Sequence, residues 1–118
     1  MMPPVPMDAV SLLDRALSEN LYEQLLHQIQ KDFGLANASI SLEKNCTPEI
    51  LQNILLDKIF ELINHRFDDY LNVLYLMDVS ETEVKSLSGH DLQLMAQEVV
   101  FLILKREWKK VWFRNHYK

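Results

Sequence analysis

The chain has 118 residues, 48% of them hydrophobic and 25% charged, a globular balance that excludes a disordered polymer and supplies enough length for one buried core. Its single cysteine, Cys46, excludes an internal disulfide and a cysteine-rich zinc site. The formal net charge of −5 is unevenly spread: residues 1–104 carry six Lys/Arg against sixteen Asp/Glu, whereas residues 105–118 carry six against one.

The opening Met-Met-Pro-Pro-Val-Pro-Met holds no basic residue and no apolar run, so it does not read as a secretory signal. It is expected to be a flexible segment over 1–7, ahead of a single helical domain over 8–118. A stretch from Asp8 to Leu17 places Val10, Leu13 and Leu17 at helical spacing. A stronger helix follows Ser18, where Leu21, Tyr22, Leu25, Leu26, Ile29 and Phe33 share one face within about 140° of arc. Gly34 is a fitting stop, although Leu35 to Ala38 can extend the pattern, and Asn37–Asn45 reads as a connection.

Thr47-Pro48 marks the next start, because threonine can cap a free backbone N–H and proline in the first turn gives up no hydrogen bond. Leu51, Leu55, Leu56, Ile59, Phe60, Leu62, Ile63 and Phe67 then cover about half the helix circumference, the width expected of a helix packed on two or more neighbours. The phase persists through Tyr70, Leu71 and Leu74. Residues 48–77 therefore fit either one long helix or two with a bend near Asn64-His65-Arg66. Ile54 and Leu76 fall off the apolar arc and read as exposed apolar positions suited to a partner. Ser80-Glu-Thr-Glu83 is a capping box opening a short helix that ends near Ser88-Gly89. Asp91 caps a last helix running to about Arg114. Its centre, Val99–Leu104, is apolar all round, which marks the helix as buried; six apolar residues fall far short of the ~20 that span a bilayer. These elements predict an all-α protein, a compact bundle of four to five helices with a buried C-terminal helix.

Metal-binding carboxylate bundles use Glu-x-x-His on facing helices, and this chain has none. Glu23/His27 and Glu61/His65 are four apart, but on faces opposite the apolar arcs, so they read as solvated pairs. Asp68, Asp69, His90 and His116 have no partner identifiable from spacing. Cys46 adjoins a helix start, where a thiolate can be stabilised; an enzyme would need a pocket joining Cys46 or a histidine to Asp68 and Asp69. With two isolated glycines there is no phosphate loop. No metal or cofactor is expected, and the balance leans against an enzyme.

Basic and aromatic residues interleave through Lys105-Arg-Glu-Trp-Lys-Lys-Val-Trp-Phe-Arg-Asn-His-Tyr-Lys118. Helical phase sets Leu104, Trp108, Val111 and Trp112 toward the bundle and Lys105, Arg106, Lys109 and Lys110 toward water. These four with Arg114 are the candidate binding residues. The run Tyr70–Glu81 followed by Leu102–Trp112 resembles short uncharacterised bacterial all-helical proteins, which implies a helical fold and carries no activity. The expectation is a cytoplasmic protein–protein interaction module, self-associating or adaptor-like; the alternative is a nucleic-acid-associated protein using the basic helix end, residues 105–118.

Overall fold

The computed structural model describes residues 8–80, 82–83 and 91–117. The flexible opening expected over 1–7, the helix end at Ser88-Gly89 and His90 lie outside the described residues. Within them the fold is all-helical: α1 (Ala9–Ser18), α2 (Tyr22–Leu35), α3 (Pro48–His65), α4 (Phe67–Leu76) and α5 (Leu92–His116).

Three helix starts follow from side chains. The Thr47 hydroxyl accepts from Ile50 N–H at 3.2 Å, with Pro48 in the first turn of α3. The Asp91 carboxylate accepts from Gln93 and Leu94 N–H at 2.9 and 3.2 Å, opening α5. The Asp8 carboxylate likewise caps α1 through Ser11 N–H at 2.7 Å. Ser80 accepts from Glu83 N–H at 3.0 Å, so the capping-box serine is in place where residues 82–83 turn helical.

Three helix ends share one device, which the residue types did not announce. Asn20, Asn37 and Asp78 take left-handed φ values of 59°, 60° and 58°. Beyond each, the next N–H closes back on the helix: Leu21 on the Ala16 carbonyl, Ala38 on Phe33 and Val79 on Leu74, each at 2.9 Å. This is the Schellman arrangement, and in all three cases the residue after the turn is apolar and buried. Gly34 is thus not the stop of α2. The helix runs through it, and Asn37 supplies the reversal.

The stretch 48–77 resolves into two helices. Arg66 leaves helical geometry at φ −144°, ψ 59°, while its side chain reaches the Asn37 carbonyl and pairs with Glu61 and Asp69. Breaking there lets α4 pack on α2 as well as on α3. No proline or glycine marks the position.

The buried apolar residues form one cluster, and α5 packs on α1, α2 and α3. Val99, Val100, Ile103, Leu104, Trp108, Val111 and Trp112 are buried along it, as the all-round apolar centre predicts. Phases differ in places. In α1 the inward face is Leu12, Leu13 and Ala16, while Val10 and Leu17 are exposed. Ala16 takes a core position on a helix that packs on α2, α3 and α5. Ile54 and Leu76, expected to be exposed, are partly buried against the core, whereas Phe67 is exposed at the α3–α4 break. No helix among the described residues is long and apolar enough to cross a membrane.

Candidate functional site

The basic stretch 105–118 continues α5 to His116, two residues beyond the expected end, and phase divides its side chains as the spacing predicts for the tryptophans. Trp108 and Trp112 are buried in the core. Trp112 also carries the C-terminal aromatic cluster: the His116 ring stacks on it at 4.0 Å, and Phe113 meets it edge-on at 5.4 Å.

The five candidate cations do not all face water. Arg106 pairs with Asp78 at the end of α4. Lys110 turns to α2, its Nζ lying 2.7 Å from Asp32 Oδ2 and 2.9 Å from Glu107 Oε2. Arg114 donates to Gln28 Oε1, also on α2. These three cations follow the carboxylates and amide that the bundle brings beside them. Lys105 and Lys109 are half-buried. Lys105 lies over the Phe101 ring, 5.4 Å from its centroid. With Lys109, Arg106, Leu102, Val79 and Glu83 it lines a shallow depression of about 110 Å³.

One feature of this face is absent from the tryptophan-based reading. Phe101, Lys105, Lys109, Phe113 and the cap residue Tyr117 are successive fourth residues, each about 40° round the helix from the last, so neighbours in the series adjoin while the whole winds through about 160°. Phe113 is 36% and Tyr117 54% exposed, their rings 5.2 Å apart. Aromatic rings and ammonium groups therefore adjoin along a winding stripe, built from Phe and Tyr rather than Trp. The repeated spacing of four was the available signal.

Beneath the stripe lies a polar cluster that the sequence reading missed. Glu107 is wholly buried and Asp32 nearly so, facing each other across α2 and α5. Burial first, then the neighbouring Asp32 carboxylate, push the Glu107 carboxyl up to about 8 against the opposing pull of Lys110. Burial works against charge on Asp32 too, but the adjoining Glu107 carboxyl and the hydrogen bonds from Lys110 and Gln28 outweigh it and hold Asp32 below its ordinary value. Burial also opposes charge on Lys110, yet its two carboxyl partners raise it. Helical phase was the signal here: Glu107 sits between Ile103 and Val111, four residues either way and both buried.

The other candidates separate. Glu23, His27, Glu61 and His65 are exposed, as their phase predicts. Cys46 is buried beside Tyr22, its thiol 3.6 Å from the Thr47 carbonyl, and burial pushes the thiol up, the opposite of thiolate stabilisation. Asp69 is occupied by Arg66 and Asn37, and Asp68 is exposed, so neither shares a partner with Cys46. Among the described residues no group of three His, Cys, Asp or Glu side chains is placed to hold a metal ion. Comparison with protein-family models, curated proteins and solved structures finds no match to this chain.

Proposed function

We propose that this chain is a non-enzymatic interaction module that docks on an acidic protein surface through the winding stripe of α5, a second copy of itself being the first such surface to test. The observation that carries the reading is the succession along α5 of half-buried Lys105 and Lys109 and the exposed rings of Phe113 and Tyr117. Rings beside ammonium groups supply apolar area together with a charge that selects acidic partners. The rest of the chain is strongly acidic, so two copies carry complementary surfaces. Cytoplasmic residence accords with the lone, unbridged Cys46.

Sedimentation velocity across a range of micromolar concentrations, at low and high salt, tests this. Association should weaken as salt rises and vanish in the Lys105→Glu/Lys109→Glu double variant. A chain that stays monomeric throughout and retains no acidic protein from its own lysate would sink the proposal.

A second reading, association with single-stranded nucleic acid, is favoured by the adjoining cations and rings, since bases stack on exposed aromatics between phosphate contacts. It ranks lower because Arg106, Lys110 and Arg114 are committed to Asp78, Asp32, Glu107 and Gln28. Two half-buried lysines neutralise few phosphates, and the acidic body repels the remainder. Fluorescence anisotropy with a labelled oligonucleotide at low salt decides: no binding there removes this reading.

A further inference from the structure

At the contact between α2 and α5 the chain places two carboxyl groups and one ammonium away from bulk water. Glu107 is 0% and Asp32 4% exposed. Lys110 gives its hydrogen bond to Asp32 and lies within ion-pair distance of Glu107, but among the described residues neither Glu107 oxygen accepts a hydrogen bond. Gln28 Nε2 donates to Asp32 at 3.0 Å, and Arg114 is spent on the Gln28 carbonyl oxygen rather than on either acid. The ionisable groups bearing on Glu107 are Asp32 from α2 and Lys110 from its own helix; none from α1, α3 or α4 acts on it.

Fully ionised, this cluster would hold two anions against one cation, with a buried carboxylate lacking hydrogen bonds. Burying an unmatched charge costs far more than a hydrogen bond returns. A single proton removes the imbalance. It cancels the excess charge and converts Glu107 into an O–H donor aimed at Asp32. Asp32 is the member that keeps its charge, because Lys110 and Gln28 already donate to it.

We propose that Glu107 is the proton-bearing half of a carboxyl–carboxylate clasp fastening α2 to α5, and that loss of this proton loosens the contact, so that the fold responds to mildly alkaline conditions. The step is a simple acid dissociation: the Glu107 O–H bond breaks, its electron pair stays on the carboxylate, and the proton passes to water or buffer. The inference does not depend on what the stripe of α5 binds.

The sign follows from linkage. The folded chain keeps the Glu107 proton from the ordinary value of 4.5 up to about 8, whereas the unfolded chain releases it at the lower value. The stability is therefore fully present below the ordinary value and is lost as pH rises through the folded one.

Carboxyl-carbon NMR of the intact chain tests the proton directly. Glu107 should titrate with a midpoint near 8, and a midpoint near 4.5 would overturn the proposal. Glu107→Gln supplies the second arm, because the amide still donates to Asp32 but cannot ionise. Urea unfolding of both proteins from mildly acidic to mildly alkaline pH should show the wild type losing at least about tenfold in folding constant relative to the variant. Amide exchange, corrected for its intrinsic pH dependence, should show α2 losing protection in the wild type alone. A wild-type-to-variant ratio constant across that range overturns the proposal. If Glu107→Gln does not fold, the NMR midpoint decides by itself.

Discussion

The Tyr22 hydroxyl donates to the Cys46 carbonyl at 2.6 Å, a buried hydrogen bond tying the first turn of α2 to the residue that precedes the Thr47 cap of α3. It anchors the far end of the connection between those helices. Removing it in Tyr22→Phe leaves a buried carbonyl without its donor and should cost about 1–2 kcal/mol in urea unfolding. Burial first, and then Cys46, raise the Tyr22 hydroxyl well above the usual tyrosine range. In an alkaline absorbance titration, Tyr22 should ionise only as the protein unfolds.

Cys46 should be slow to alkylate. Its thiol is buried and shifted upward, chiefly by that burial, so thiolate is scarce and access is poor. Iodoacetamide labelling of the native chain should lag the urea-unfolded chain by at least about a hundredfold, a ratio set by how seldom the fold opens. Equal rates would mean the segment before α3 is loosely held.

Asn20 occupies a left-handed conformation that most side chains avoid. Asn20→Ala should destabilise by about 1 kcal/mol, whereas Asn20→Gly should fall within a few tenths of wild type. The pair separates backbone strain from side-chain contact: if both variants lose equally, the side chain matters and the φ value does not.

Among the described residues Lys110 is the one cation bridging the buried acids, though its side chain is 34% exposed. Lys110→Met should cost about 2 kcal/mol, below the loss for a fully buried pair because water screens part of the interaction. Asp32 sets the acid limb. Its lowered value gives stability that is present above the ordinary 3.8 and lost as pH falls through the folded value. Asp32→Asn should flatten that limb of the wild-type curve, and an unchanged limb would assign it to other carboxylates.

Much of the architecture was legible because it rests on local rules. Thr47-Pro48 and Asp91 cap as their chemistry dictates, and the tryptophans of α5 face inward because 3.6-residue periodicity allows nothing else. What stayed hidden depends on neighbours distant in sequence. The bend near Asn64-His65-Arg66 was one of two options, and what decides for it at Arg66 is the Asn37 carbonyl, from another segment, which accepts its guanidinium. The inward turn of Lys110 and Arg114 needs Asp32 and Gln28, more than seventy positions away. Glu107 and the Phe113–Tyr117 stripe sit between these cases: spacing pointed to both, but one was masked by the expectation that a glutamate is solvated and the other by attention to tryptophan.

The tight passage from α1 to α2 has a consequence for engineering this chain. Leu21 closes the end of α1 through its N–H and opens α2 through its carbonyl, which accepts from Leu25 at 3.0 Å, so one residue serves two helices. An extra residue inserted beside it would force one of those bonds to be abandoned. The connection before Thr47 is held at Leu42 and Cys46, with exposed residues at 43–45 between them. A tag, a fluorophore or a new pair of chain ends belongs there, where added length swings out into solvent and both helices keep their register.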